Sequence, residues 1–128
     1  MMPLVAKLGI CELTIAALSG WLMVATVERP ETLKQIGLRH LGRIRQAHLD
    51  LLFMGTILTA VGIAANPIPN WVAALLVLGA FVQPLMFLPL AVNAELVRSS
   101  SIYRAVNTTV LVGFSAGWVA LAIVVLSR

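Results

Sequence analysis

The chain has 128 residues, 60% of them hydrophobic and 11% charged, with a mean hydropathy of +0.99. Soluble domains carry about 25% charged residues, so the composition excludes an ordinary soluble enzyme, and the length allows one domain, residues 1–128, in lipid. The formal charge of +4 does not point to nucleic acid, because most basic residues cluster in one loop, and the single cysteine, Cys11, leaves no intrachain disulfide or cysteine metal cluster.

Four apolar runs follow in order, residues 3–26, 48–65, 71–93 and 102–126. Each is near the ~20 residues that cross a ~30 Å hydrocarbon core. Backbone polar groups in lipid must bond internally, so the runs are predicted helices and the fold all-α, a four-helix transmembrane bundle. The first run has only Lys7 near its start, carries Glu12 inside it, and no small-residue cleavage site follows; it is expected to be a retained span, not a removed signal. An acid within a membrane is costly enough to be a functional hypothesis in itself. Structural pairing with another helix and a functional role both stay open for Glu12. Ser19 and Gly20 mark a point of close helix approach.

The loop of residues 28–47 holds Arg29, Lys34, Arg39, Arg43 and Arg45; the turn NPIPN, residues 66–70, is uncharged; Arg98 and Arg104 flank the last loop. The positive-inside rule then puts the first and third loops in the cytoplasm and both termini on the non-cytoplasmic side. A bacterial inner membrane is the expected location. Within the basic loop Pro30 and Glu31 suit a helix start. Leu41, Ile44, His48 and Leu51 recur at helical spacing, so the second helix is predicted to begin before the membrane, near Leu38.

On the second span His48, Leu52, Gly55, Thr59 and Gly62 form one stripe. In one reading the imidazole and a glycine floor line a planar ligand such as haem, with His48 as axial iron ligand. In the other the stripe is a helix contact, and His48 is hydrogen-bonded at the interface. Asp50 points about 160° away from His48, so it is expected to pair along its own face with Arg43 or Gln46.

The third span carries Gly79, Gln83, Met86, Leu90 and Asn93 as a second stripe, with Gln83 near the bilayer centre. Its amide must face a ligand or another helix. Pro84 and Pro89 leave the carbonyls of Ala80 and Leu85 without their usual donors, which predicts a kink. Gly113 and Gly117 make a GxxxG on the fourth span, a contact face inside the protomer or between protomers. Trp21, Trp71 and Trp118 read as interface or bundle aromatics. Topology alone puts His48, Asn93, Glu95, Tyr103 and Asn107 at one membrane level, with Gln83 about 15 Å deeper. The candidate site is therefore His48 as metal ligand, Gly55 and Thr59 beside it against the cofactor, and Gln83, Asn93 and Tyr103 as catalytic groups.

The order of these features resembles a family, the styrene oxide isomerases and the related hydroxylaminobenzene mutases, small integral membrane proteins of four helices. The matching residues are His48 in QAHLDLLFMG with Gly55 closing it, Gly9 and Gly20 in the first span, and GAFVQP, residues 79–84, in the third. The resemblance implies haem b on His48, ferric iron acting as a Lewis acid on an epoxide or hydroxylamine-type compound, and a homo-oligomer, a trimer in the isomerases. The partners it implies are the lipid bilayer and a small apolar substrate. Met54 stands where the isomerases have asparagine, and their third-helix acid and tyrosine have no counterparts beside Gln83 and Phe87. A divergent member is implied, in which Gln83, Asn93 or Tyr103 orients the substrate. RIRQAHLD is also similar to the basic run of the membrane-associated eicosanoid and glutathione proteins, but Phe53 stands near their later acid and the third span lacks their arginine. From another class, a small transporter or non-enzymatic oligomeric subunit would use Glu12 and Gln83 as a proton or substrate pathway.

Overall fold

The computed structural model describes residues 1–128 and contains helices but no strands. In chain order they are α1 (Leu4–Glu28), α2 (Pro30–Gln35), α3 (Leu41–Ala64), α4 (Asn70–Leu85), α5 (Phe87–Val92), α6 (Leu96–Ser99) and α7 (Ser101–Leu126). Four spans result, α1, α3, α4 continued by α5, and α7, of 23 to 26 residues. At 1.5 Å per residue they reach roughly 35–39 Å, enough to cross a bilayer. The protein is an integral membrane four-helix bundle, as its hydropathy predicts.

Local chemistry sets the ends of these helices. Pro30 opens α2, where its missing N–H costs nothing, and Glu31 sits in the first turn. Gly37 then takes a φ of +100° that only glycine adopts freely. The chain does not run straight into the second span from Leu38. The N–H groups of Arg39 and His40 both donate to the Ala91 carbonyl of α5 at 2.9 Å, which holds those residues out of the helix and delays its start to Leu41. At the far end, the Ser100 hydroxyl caps α7 by accepting the Tyr103 N–H at 3.1 Å.

The third span breaks where its prolines predict. Helix α4 ends at Leu85, α5 resumes at Phe87, and Met86 lies between them. Pro89 has no N–H to offer the Leu85 carbonyl, so the ladder cannot run through.

The spans pack as two hairpins, α1 on α3 and α4 on α7, joined where α3 meets α4. The joint is a buried cluster of Val5, Leu58, Val72, Leu76, Ala80 and Leu121, drawn from all four spans. Ile10, Leu18 and Trp21 on α1 and Val112, Val119 and Ile123 on α7 are exposed. Such surface is costly in water and neutral in lipid, the solvent for which these helices are built.

Candidate functional site at the His48 end

His48 lies two turns into α3, at the end of the bundle that carries the basic loop. Its Nδ1 is 2.8 Å from the Ser19 hydroxyl oxygen on α1. Gly20 keeps the neighbouring space open, since a Cβ there would sit 3.8 Å from the imidazole Cε1. The Ser19 hydroxyl donates its only proton to the Ala16 carbonyl, at 2.7 Å, so its oxygen must accept from the ring. In the neutral ring this network places the hydrogen on Nδ1 and the lone pair on Nε2. No hydrogen bond engages Nε2, and the atom is not enclosed. An imidazole with Nδ1–H fixed on an oxygen and Nε2 free is prepared to bind a metal or take a proton.

One turn nearer the loop, Arg45 lines a cleft of about 260 Å³ with Leu41 and Gly42 of α3 and Thr26 and Val27 of α1. The exposed end of the α1–α3 hairpin therefore presents a cation above a basic nitrogen.

Gly55 and Thr59 do not stand beside an open space. The Thr59 hydroxyl donates to the Gly55 carbonyl at 2.7 Å, and α1 occupies the face of both. A Cβ on Gly55 would lie 2.9 Å from Leu13, and one on Gly9 would lie 2.5 Å from the Thr59 nitrogen. Gly62 is likewise filled by Ala6. A tetrapyrrole does not fit against Gly55 and Thr59; below His48 the stripe is a helix contact. The donor chemistry of His48 itself does fit an iron ligand, and no cluster of three His, Cys, Asp or Glu side chains gathers in the chain.

The other three candidates go to separate places. Tyr103 donates its hydroxyl to the Met86 carbonyl at 2.5 Å, at the break between α4 and α5. Asn93 Oδ1 accepts the Glu95 N–H at 3.0 Å, and its residue lines a polar cleft of about 550 Å³ with Gly37, Arg39, His40 and Glu95. Gln83 has its Oε1 buried without a donor. None of the three is hydrogen-bonded to His48. Asp50 does not pair with Arg43 or Gln46 as its spacing suggests; those two bond each other, Arg43 Nη1 donating to Gln46 Oε1 at 3.0 Å, and the single ion pair is Lys34 with Glu31.

Ser19 is the functional neighbour that residue spacing does not reveal. Its place beside Gly20 signals close packing, but pairing with His48 depends on how α1 and α3 are registered, which hydropathy does not encode. His40 also goes unmarked by any period, and only the fold brings it to the Asn93 cleft.

These features define a class, an integral membrane four-helix protein with one anchored histidine at its basic end. No family model, curated protein or solved structure matches the chain.

Proposed function

We propose that this protein is a membrane isomerase or mutase that holds haem b through His48 and rearranges a small apolar epoxide or hydroxylamine-type compound supplied by the bilayer. The observation that carries the reading is the Ser19–His48 pair, which fixes the ring and reserves Nε2 for a ligand. Bound ferric haem supplies a Lewis acid to the substrate oxygen.

The chain's own residues then have distinct tasks. Ser19 holds the imidazole in one tautomer and one orientation, and the Ala16 carbonyl holds Ser19. Arg45, in the cleft one turn nearer the loop, would offer a cation suited to a carboxylate of the bound haem. Gly9, Gly55 and Gly62 let α1 and α3 approach closely enough for Ser19 to reach His48. The exposed apolar flanks of α1 and α7 give a compound dissolved in lipid direct access without passing through water.

The open side of His48 also supports a homo-oligomer, three copies on the resemblance above, in which a second copy completes the enclosure. Gathering of Arg29, Lys34, Arg39, Arg43, Arg45, Arg98 and Arg104 at one end of the bundle supports a bacterial inner membrane with both termini on the non-cytoplasmic side.

The test is the visible spectrum of detergent-purified protein from haem-replete cells. A Soret band is expected in the native chain and its loss in His48→Ala. Ser19→Ala should keep the band but weaken haem retention about 10-fold or more, the effect of losing an orienting partner. A native protein without haem, or a band indifferent to His48→Ala, sinks the proposal.

A further inference from the structure

Glu12 is the one polar or charged residue buried in the bundle, and the His48 site does not use it. Its residue is 0% exposed, and both carboxyl oxygens are enclosed without a hydrogen-bond partner. The third enclosed and unpartnered side-chain atom is Gln83 Oε1 on α4.

These two groups lie at one depth. Helices α1 and α4 are separated by a single span and so run in the same direction, and Leu8 and Val77 line a shared groove between them. Val5 of α1 and Leu76 of α4 belong to one buried cluster, and Glu12 and Gln83 each lie seven residues beyond them, two turns and about 10 Å along parallel axes on the same faces. Both look inward. Glu12 continues the buried stripe of Val5, Ala6, Gly9 and Ala16, and Gln83 follows Leu76 and Ala80 beside the buried Pro84.

No charge is available to neutralise a carboxylate there. On α1 the nearest cation, Lys7, is five residues away and points about 140° off; on α3 the cations Arg43 and Arg45 precede His48, leaving Asp50, another acid, as the one charged group farther along. The third span has no charged residue, and on α7 the only cation is Arg104 in the first turn. An unpaired charge in such a place costs several kcal/mol. The groove of Leu8 and Val77 is lined by neither Glu12 nor Gln83, so it brings no ligand to them. One hydrogen shared between them would satisfy an enclosed carboxyl and an enclosed amide carbonyl at this depth.

We propose that Glu12 is an intramembrane proton-binding site, its carboxyl holding a proton that it donates to Gln83 Oε1. The pair fastens α1 to α4 across the seam that the two hairpins share. It is separate from the histidine site, since Ser19 lies seven residues farther along α1, about 10 Å.

Infrared spectroscopy of the full chain in lipid at neutral pH tests this. Glu28, Glu31 and Glu95 are exposed to water, so the carbonyl stretch of an enclosed protonated acid should stand out and should be lost in Glu12→Gln, a substitution that keeps the shape and hydrogen-bonding capacity of the neutral acid. In Gln83→Leu the same band should move to higher frequency, as expected of a carbonyl freed from its hydrogen-bonded partner. Side-chain isotope labelling of glutamate in the native chain should shift the band down, which identifies a protonated glutamate even if a variant misfolds. A carboxylate signal in place of the acid band, or an acid band that survives Glu12→Gln, overturns the site; a band unmoved by Gln83→Leu overturns the pairing. Neither result depends on whether haem is bound at His48.

Discussion

Helix α1 meets α3 through backbone, whereas α4 meets α7 through side chains. In the first pair Gly9, Gly55 and Gly62 remove every Cβ that would keep the helices apart, and the opposing atoms include main-chain nitrogens of Ala6, Leu13 and Thr59. In the second, the Phe114 ring fills the space over Gly79, supported along its own helix by Trp118 packed edge-on with centroids 6.0 Å apart, and Tyr103 reaches across to the Met86 carbonyl. Backbone cannot yield and side chains can change rotamer. The α1–α3 hairpin is therefore the rigid half, and it carries Ser19 and His48. The α4–α7 hairpin, with its proline break, is the half that can adjust.

The most damaging change should be one that forces the rigid pair apart. Gly9→Val introduces atoms against the Thr59 nitrogen, where nothing can turn aside, and should cost the upper part of ~1–3 kcal/mol. Thermal unfolding in detergent, followed by circular dichroism, should show the drop. Because the helices must separate to admit the side chain, any haem retention through His48, the ligand of the proposed function, should fall together with stability. Loss of stability with full retention would show that the Ser19–His48 geometry does not depend on the glycine contact.

Tyr103→Phe attacks the adjustable half and should do less. It leaves the Met86 carbonyl without its hydroxyl donor at a helix break, worth ~1 kcal/mol between membrane helices. The expected signature is lower thermal stability and, if the proposed haem is bound, an unchanged spectrum, because Tyr103 is hydrogen-bonded to Met86 and not to His48. A spectral change would instead join the two hairpins into one site and restore Tyr103 as a catalytic candidate.

The same contrast explains what could be read in the residues and what could not. Apolar runs and prolines are local, so the four spans, the start of α2 at Pro30 and the break around Met86 all follow from them. The stripe from His48 to Gly62 is legible as a surface of close approach, and Gly113 with Gly117 likewise. Which neighbour fills each surface is not legible, since helices in lipid are not sorted by hydrophobicity and every apolar face is acceptable to every other. Depth and direction place His48, Asn93 and Tyr103 at one level, but a shared level does not make shared contacts. Tyr103 faces the broken third span, Asn93 faces the loops, and His48 faces α1. The late start of α3 escapes a periodic reading too, because it is set by the Ala91 carbonyl, about 50 residues farther along the chain.

The smallest expected effect is at the second GxxxG. Gly117 is a close contact, with a Cβ there 3.0 Å from Leu75, but one on Gly113 would meet only the tip of Leu75 at 3.7 Å, an ordinary separation. Gly113→Ala should therefore change stability by no more than ~0.5 kcal/mol, partly because alanine favours the helix that glycine weakens. The motif's two glycines would then differ in use, one packed against α4 and one not needed for that contact. If Gly113→Ala left thermal stability intact yet lowered the oligomer mass in light scattering, the unused glycine would belong to an interface between copies, and α7 would be the helix that presents it. If neither changed, Gly113 would serve no contact between copies, and the interface of the proposed oligomer would have to be sought elsewhere, first on the exposed flank of α1.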